Sequence, residues 1–232
     1  MSSFDNNLTP ENFFEFLSVI EKMKCNTRHS FTSSGRKESV AEHSFRLTVA
    51  AYLLKDELDG VDMGRVWEMC LVHDFGEAVC GDIPSFLKTE SDEDTENNAV
   101  LNLLKTLPEK KRGQLTGLFR EMWEQATPEA KAFKALDKLE AVMSHNEADL
   151  STWIPDEYEM NLVYGLDECA EFELLKALRE RAVKDTRKKI GADKKELSEM
   201  TLEELWQLFP IYLTEHRSVW KNWYENEREY LC

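Results

Sequence analysis

The sequence predicts an all-α protein, a helical bundle with a C-terminal helical extension, on three observations. Helix-start signals recur along its 232 residues, no segment alternates apolar and polar residues in the β-branched manner of a strand, and no two-residue turn joins two such runs. Thr9-Pro10 supplies an N-cap and an N1 proline for a helix through about Lys24. Proline suits that position because its missing N–H is one that a first turn leaves unpaired in any case. Ser39-Val40-Ala41-Glu42 is a capping box opening a helix through about Leu58. Asp62 caps a third helix, ending near His73, and Leu107-Pro108 and Thr127-Pro128 begin two more. Gly191 closes a long charged helix, and Thr201-Leu202-Glu203-Glu204 is a second capping box.

Two stretches read as irregular, Asn26 to Lys37 and Gly81 to Glu96. Loops on a rigid scaffold are where binding groups usually sit, although either stretch could equally be a plain connector. A seam near Trp153-Ile154-Pro155 divides the chain into residues 1–154, a helical core, and residues 155–232, a C-terminal helical extension packed on the same domain.

Composition narrows the function classes. With 45 acidic against 29 basic residues the formal charge is −16, which gives no electrostatic footprint for duplex nucleic acid. The one basic run, Lys184, Arg187, Lys188 and Lys189, closes a helix before Gly191 and reads as a solvated last turn that complements the helix dipole. No stretch approaches the roughly 20 apolar residues that span a bilayer, so no membrane partner is expected. The five cysteines contain no CxxC pair, and their odd number without a secretory leader points to reduced thiols and a cytoplasmic location.

The chemistry begins at His73-Asp74, which ends an apolar helical run. A buried carboxylate beside a buried imidazole costs several kcal/mol unless something compensates both, and a divalent cation does so at once. His43 shares its helix face with Leu47, Ala50, Ala51 and Leu54, and His73 shares its own with Val66, Met69 and Cys70. A lone inward histidine is more often a satisfied core residue, but two are harder to dismiss. Asp137 lies on the stripe of Phe133 and Ala141 and asks for a cation in the same way. Together His43, His73, Asp74 and Asp137 offer two nitrogen and two oxygen ligands, a set suited to one divalent ion such as Mn²⁺, Co²⁺, Fe²⁺ or Zn²⁺, with Mg²⁺ also in range. His145 stands eight residues beyond Asp137, about 12 Å along a helix, too far for the same shell of ligands. His216 has no acidic neighbour and reads as structural.

The order H…HD…D, carried by AEHS at 41–44, HDFGEAVCGDIPS at 73–85 and LDKLEA at 136–141, resembles the HD-domain phosphohydrolases. Glu77 three residues after the HD pair, followed by Gly81-Asp82-Ile83-Pro84, is similar to their 5'-deoxynucleotidase-like branch, as is Arg28 fifteen positions before His43. The resemblance covers roughly residues 10 to 150. It implies an HD-domain helical bundle, one divalent metal held by His43, His73, Asp74 and Asp137, and hydrolysis of nucleoside 5'-monophosphates lacking a 2'-hydroxyl. It also implies that Glu77 and Asp82 lie near the reacting phosphate and that Arg28 contacts phosphate and sugar. His29 departs from the pattern, since many relatives carry tryptophan there, so sugar discrimination is less constrained than phosphate hydrolysis.

The residues support that chemistry without the resemblance. Hydrolysing a phosphomonoester needs a nucleophilic water, charge neutralisation at the phosphate and a proton for the departing alkoxide. Asp82 is favoured as general base and Glu77 as water or substrate positioner, although Glu77 could instead orient a ligand. Arg28 could grip phosphate with its planar fork, His29 could stack or hydrogen-bond, and Arg36, Lys37 and Lys88 are further basic groups in the two flanking loops, where a solvated charge is the commoner role. Glu42 is explained by the capping box, and Glu140, one turn after Asp137, faces either the outer shell of the metal or a surface lysine. The aromatic residues Trp206, Phe209, Tyr212, Trp220, Trp223, Tyr224 and Tyr230 crowd the last helices and would suit a homodimer contact. The expectation is therefore a metal-dependent phosphomonoesterase acting on a small nucleotide. A hydrolase of other phosphate esters or nucleoside triphosphates, and a non-catalytic nucleotide-binding module, stay open, with Glu77 and Asp82 arguing against the last.

Overall fold

The structure is a computed structural model that describes residues 7–84 and 87–191. The Thr201 capping box, His216, Cys232 and the C-terminal aromatic residues lie outside the described residues. Helix α1 spans Pro10–Ile20 and runs into a 3-10 turn at Glu21–Lys24; a short antiparallel pair follows, β1 at Thr27–Phe31 and β2 at Lys37–Ser39. Next come α2 at Val40–Leu53, α3 at Met63–Val72, a 3-10 turn at His73–Gly76, α4 at Glu77–Cys80, α5 at Glu90–Leu104 and α6 at Glu109–Glu124. Helix α7 at Pro128–Glu147, a 3-10 turn at Leu150–Thr152, α8 at Glu157–Val163, α9 at Leu166–Ala170 and α10 at Glu173–Ile190 complete the described chain.

The caps form where the sequence places them. Thr9 and Ser39 each close a capping box, with Asn12 and Glu42 as reciprocal partners, while Asp62 accepts from the amides of Gly64 and Arg65 and Thr127 from that of Ala130. Each such cap contributes about 1 kcal/mol by pairing donors the first turn leaves open. Helix α7 is the central strut, packed against α2, α3, α6, α9, α10 and β1. Leu47 of α2, Val66 and Met69 of α3, Phe119 of α6, Leu136 of α7 and Leu175 of α10 meet in one core around it. Burial of each such side chain contributes about 1.5–3 kcal/mol.

Three local readings are corrected. Residues Asn26 to Lys37, expected to be irregular and strand-free, contain the β1–β2 pair, with Thr27 opposite Ser39 and Phe31 opposite Lys37 across an irregular register. The turn is closed by Thr32 N to Arg36 O at 2.7 Å and by Gly35 at φ +83°, a conformation glycine adopts without steric cost. Helix α2 stops at Leu53 rather than near Leu58; Leu54 and Leu58 are still buried, because apolar spacing reports burial and not the helix itself. Helix α5 begins at Glu90, inside the stretch read as a loop, capped by a box of Thr89 and Asp92.

Candidate metal centre

Four elements bring the H…HD…D residues together. The Ser39–Glu42 box starts α2, so His43 points inward one turn later on the face of Leu47 and Ala51. Helix α3 delivers His73 at its C-terminal cap, and Asp74 departs from helical geometry at φ −91°, ψ 16°. Helix α7 supplies Asp137 from the opposite wall. His43 Nε2 lies 3.2 Å from His73 Nε2 and 3.2 Å from Asp137 Oδ1, and His73 Nε2 lies 2.9 Å from Asp74 Oδ1. His43 Nε2 to Asp74 Oδ2 is 3.8 Å, and His73 Nε2 to Asp137 Oδ1 is 3.9 Å.

His43, His73 and Asp74 each place a ligand atom within 4.8 Å of the others, a group that can hold a divalent ion, with Asp137 Oδ1 beside it at 3.2 Å from His43 Nε2. Metal–ligand bonds of about 2.1 Å hold neighbouring donors about 3–3.5 Å apart. The back of each ring fixes its tautomer: His73 Nδ1 donates to the Cys70 carbonyl at 3.0 Å, and His43 Nδ1 donates to a carboxylate oxygen of Glu140. Both Nε2 lone pairs then face the same point beside two carboxylates, an arrangement that requires a cation. Burial and Arg28 oppose charge on His43, but Glu140 and Asp137 outweigh them and raise its pKa to about 9. Against the same penalty of burial, Lys134 and His43 hold Asp137 well below the usual carboxylate range, and His73 lowers Asp74.

The centre opens into a cavity of about 450 Å³ lined by every residue expected in the site, including Arg28, His29, Glu77, Asp82 and Lys88. Arg28, on β1, reaches Glu38 at 3.3 Å and Glu140 at 3.5 Å, so two buried carboxylates orient its fork. Burial opposes its charge, but Glu140, Asp74 and Glu38 keep it fully protonated. Glu77 begins α4 and is buried, with Oε2 lacking a hydrogen-bond partner among the described residues. Burial first, then the charges of Asp74, Asp82 and Glu96, push its pKa up to about 10. Burial also raises Asp82, which follows Gly81 at φ +79°. Lys88 lines the cavity already paired with Glu96.

Glu140 takes the first of its two expected places, at the back of His43 rather than against a surface lysine, and also accepts from Ser144 Oγ at 2.9 Å. Other groups here escaped the sequence reading. Lys134 lines the cavity and contacts Asp137 Oδ2 at 3.2 Å; its position one turn before Asp137 was the available clue. Glu38 is buried beside Arg28 across the β1–β2 hairpin, and Glu157 of α8 is buried beside His29, a contact between distant segments for which spacing offers no clue.

The chain resembles several known proteins. The chain is 31% identical over 137 residues to the human 5'-deoxynucleotidase HDDC2, covering 57% of this chain and 66% of that protein. It is 30% identical to the 5'-deoxynucleotidase HDDC2 of Dictyostelium discoideum, covering 59% of this chain and 77% of that one. The crystal structure of a predicted metal-dependent phosphohydrolase from Magnetospirillum magnetotacticum superposes with a TM-score of 0.65 at 26% identity, covering 77% of this chain and 95% of that one. The HD domain itself matches residues 20–179, a span that begins before Arg28 and runs past all four residues of the H…HD…D centre. The chain belongs to the HD-domain family.

Proposed function

We propose that the chain is a metal-dependent phosphomonoesterase that hydrolyses deoxynucleoside 5'-monophosphates to nucleoside and phosphate. The observation that carries this reading is one cavity holding the convergent His43, His73, Asp74 and Asp137 donors together with Arg28, Glu77 and Asp82. The 5'-deoxynucleotidase names of the HDDC2 relatives support it. A single divalent ion at this centre, Mn²⁺, Co²⁺, Fe²⁺, Zn²⁺ or Mg²⁺, supplies a Lewis acid for a phosphate oxygen and makes a water acidic.

The residues do the rest. Arg28, held between Glu38 and Glu140, presents its remaining donors to the phosphate, and Lys134 adds a second positive charge on the cavity wall. Asp82 accepts the proton of the attacking water. Glu77, crowded by like charges, positions that water and keeps a proton for the departing 5'-oxygen. Trp123 lines the cavity and is partly exposed, giving the base a face to stack on. His29, on the cavity lining, reads the sugar edge, and Lys88, paired with Glu96, adds positive charge near Glu77 and Asp74. The same reading includes a cytoplasmic location, consistent with the unpaired thiols of Cys25, Cys70, Cys80 and Cys169, and a homodimer. The exposed stripe of Phe45, Val49, Tyr52 and Leu53 on α2 supports the dimer. Among the described residues no helix is long and apolar enough to cross a membrane.

The test is phosphate release from the metal-stripped full chain on a panel of ribo- and deoxyribonucleoside mono-, di- and triphosphates, with each ion restored singly. Deoxynucleoside monophosphates should turn over fastest, and Asp82→Ala and Glu77→Ala should each lower kcat by at least about 100-fold. Monophosphates inert with every ion, or rates unchanged in both variants, would overturn the reading.

A further inference from the structure

A second group of donors lines the same cavity. His29 Nε2 of β1 lies 3.5 Å from Glu157 Oε1, and His145 Nδ1 of α7 lies 3.6 Å from the same oxygen. The three ligand atoms all fall within 4.8 Å of one another. Both nitrogen–oxygen distances exceed the 2.7–3.2 Å of a hydrogen bond, yet they are close to the separation of about 3–3.5 Å that donors keep around a shared ion. The carboxylate is pinned for this role, because its other oxygen accepts the Ile154 amide at 2.8 Å and so leaves Oε1 facing the imidazoles. His145 is held as well, its carbonyl accepting the Trp153 indole N–H at 3.0 Å.

We propose that His29, His145 and Glu157 form a second divalent-cation site, distinct from the centre at His43, His73, Asp74 and Asp137. Two nitrogens and one carboxylate oxygen suit a first-row ion of the zinc or cobalt kind, with the remaining coordination positions open to the cavity. The two sites share no residue. Eight positions of α7 separate Asp137 from His145, about 12 Å along the axis, so one ion cannot serve both. A bound ion would carry positive charge to the His29 side of the cavity and offset Glu157, an acid otherwise placed against an anionic substrate.

The inference does not depend on the reaction, and its test reads metal content. Full-length protein is stripped with a chelator, equilibrated with excess Zn²⁺ or Co²⁺ at pH 8, freed of unbound ion and analysed for metal per chain. Two ions per chain are expected in the unaltered protein and one in each of Glu157→Gln, His145→Gln and Asp74→Asn. Circular dichroism establishes which variants fold, and Glu157→Gln stands in if His145→Gln does not. Fewer than two ions in the unaltered protein overturns the proposal, as does a second ion retained in the folded Glu157 and His145 variants.

Discussion

His43 and His73 face each other through Nε2 atoms 3.2 Å apart, each ring anchored at its far nitrogen, His43 by Glu140 and His73 by the Cys70 carbonyl. That anchoring aims both Nε2 atoms at the point that Asp74 and Asp137 also face, where a bound ion would tie α2, α3 and α7 together.

Chelation should therefore destabilise the fold as well as abolish turnover. An ion present at 100 times its Kd adds about 2.7 kcal/mol to stability, and in a chain of this size each kcal/mol moves Tm by about 2–4 °C. Thermal melts of stripped and Mn²⁺-reloaded protein should differ by about 5–10 °C. Coincident melts would contradict the site.

Glu140→Gln keeps the shape of the side chain but removes the charge behind His43 and one partner of Arg28. Metal affinity should fall about 10- to 100-fold, measured by competition with a calibrated chelator. KM for a nucleotide should rise as well, since Arg28 loses part of its orientation. Unchanged affinity would show that Glu140 is only a packing neighbour.

Much of this centre was legible because inward histidines and carboxylates on apolar faces are costly, and the faces of His43, His73 and Asp137 could be counted from helical spacing. Four N-caps were legible for a similar reason: Thr9, Ser39, Asp62 and Thr127 each act within three residues of sequence. The β1–β2 pair was hidden because its buried face carries Arg28, and the partners that tolerate it, Glu38 and Glu140, come from β2 and α7. Helix α5 was hidden because its first half, ESDEDTENN, is polar all round, and only Val100, Leu103 and Leu104 near its end reach the core. Helical spacing sets His145 apart from the first cluster, but its meeting with His29 and Glu157 joins three separate elements and has no sequence period.

Gly76 has a steric role next to the HD pair. A Cβ there would lie 2.5 Å from Glu96 Cγ, 3.1 Å from Val100 Cγ2 and 3.2 Å from the Glu96 carbonyl. The Glu96 side chain can swing away, but the α5 backbone cannot, so Gly76→Ala must push α5 off the 3-10 turn that carries His73 and Asp74. A loss of about 1–3 kcal/mol is expected, together with weaker metal binding. Equilibrium denaturation with and without Mn²⁺ separates the two effects, and wild-type values in both would refute the contact.

Glu159 on α8 is 1% exposed, and neither carboxylate oxygen has a hydrogen-bond partner among the described residues. Burial, then the Asp156 charge, pushes its pKa up to about 9, against 4.5 in the unfolded chain. The folded protein thus keeps a proton that the unfolded chain has released throughout the window between those values. Glu159 alone then makes stability fall as pH rises from about 4.5 to 9, by at most about 1.4 kcal/mol per pH unit and levelling off above it, while His29 and His145, lowered to about 4 and about 3 by burial, act the other way below about pH 6.5. In metal-free protein Glu157, raised to about 7 by burial, adds to the decline in the lower half of that window. Glu159→Gln removes the larger share, so its Tm should match or trail that of the unaltered protein at pH 5 and exceed it by several degrees at pH 8.5. Parallel Tm curves across that range would show that Glu159 is charged in the fold and has found a partner.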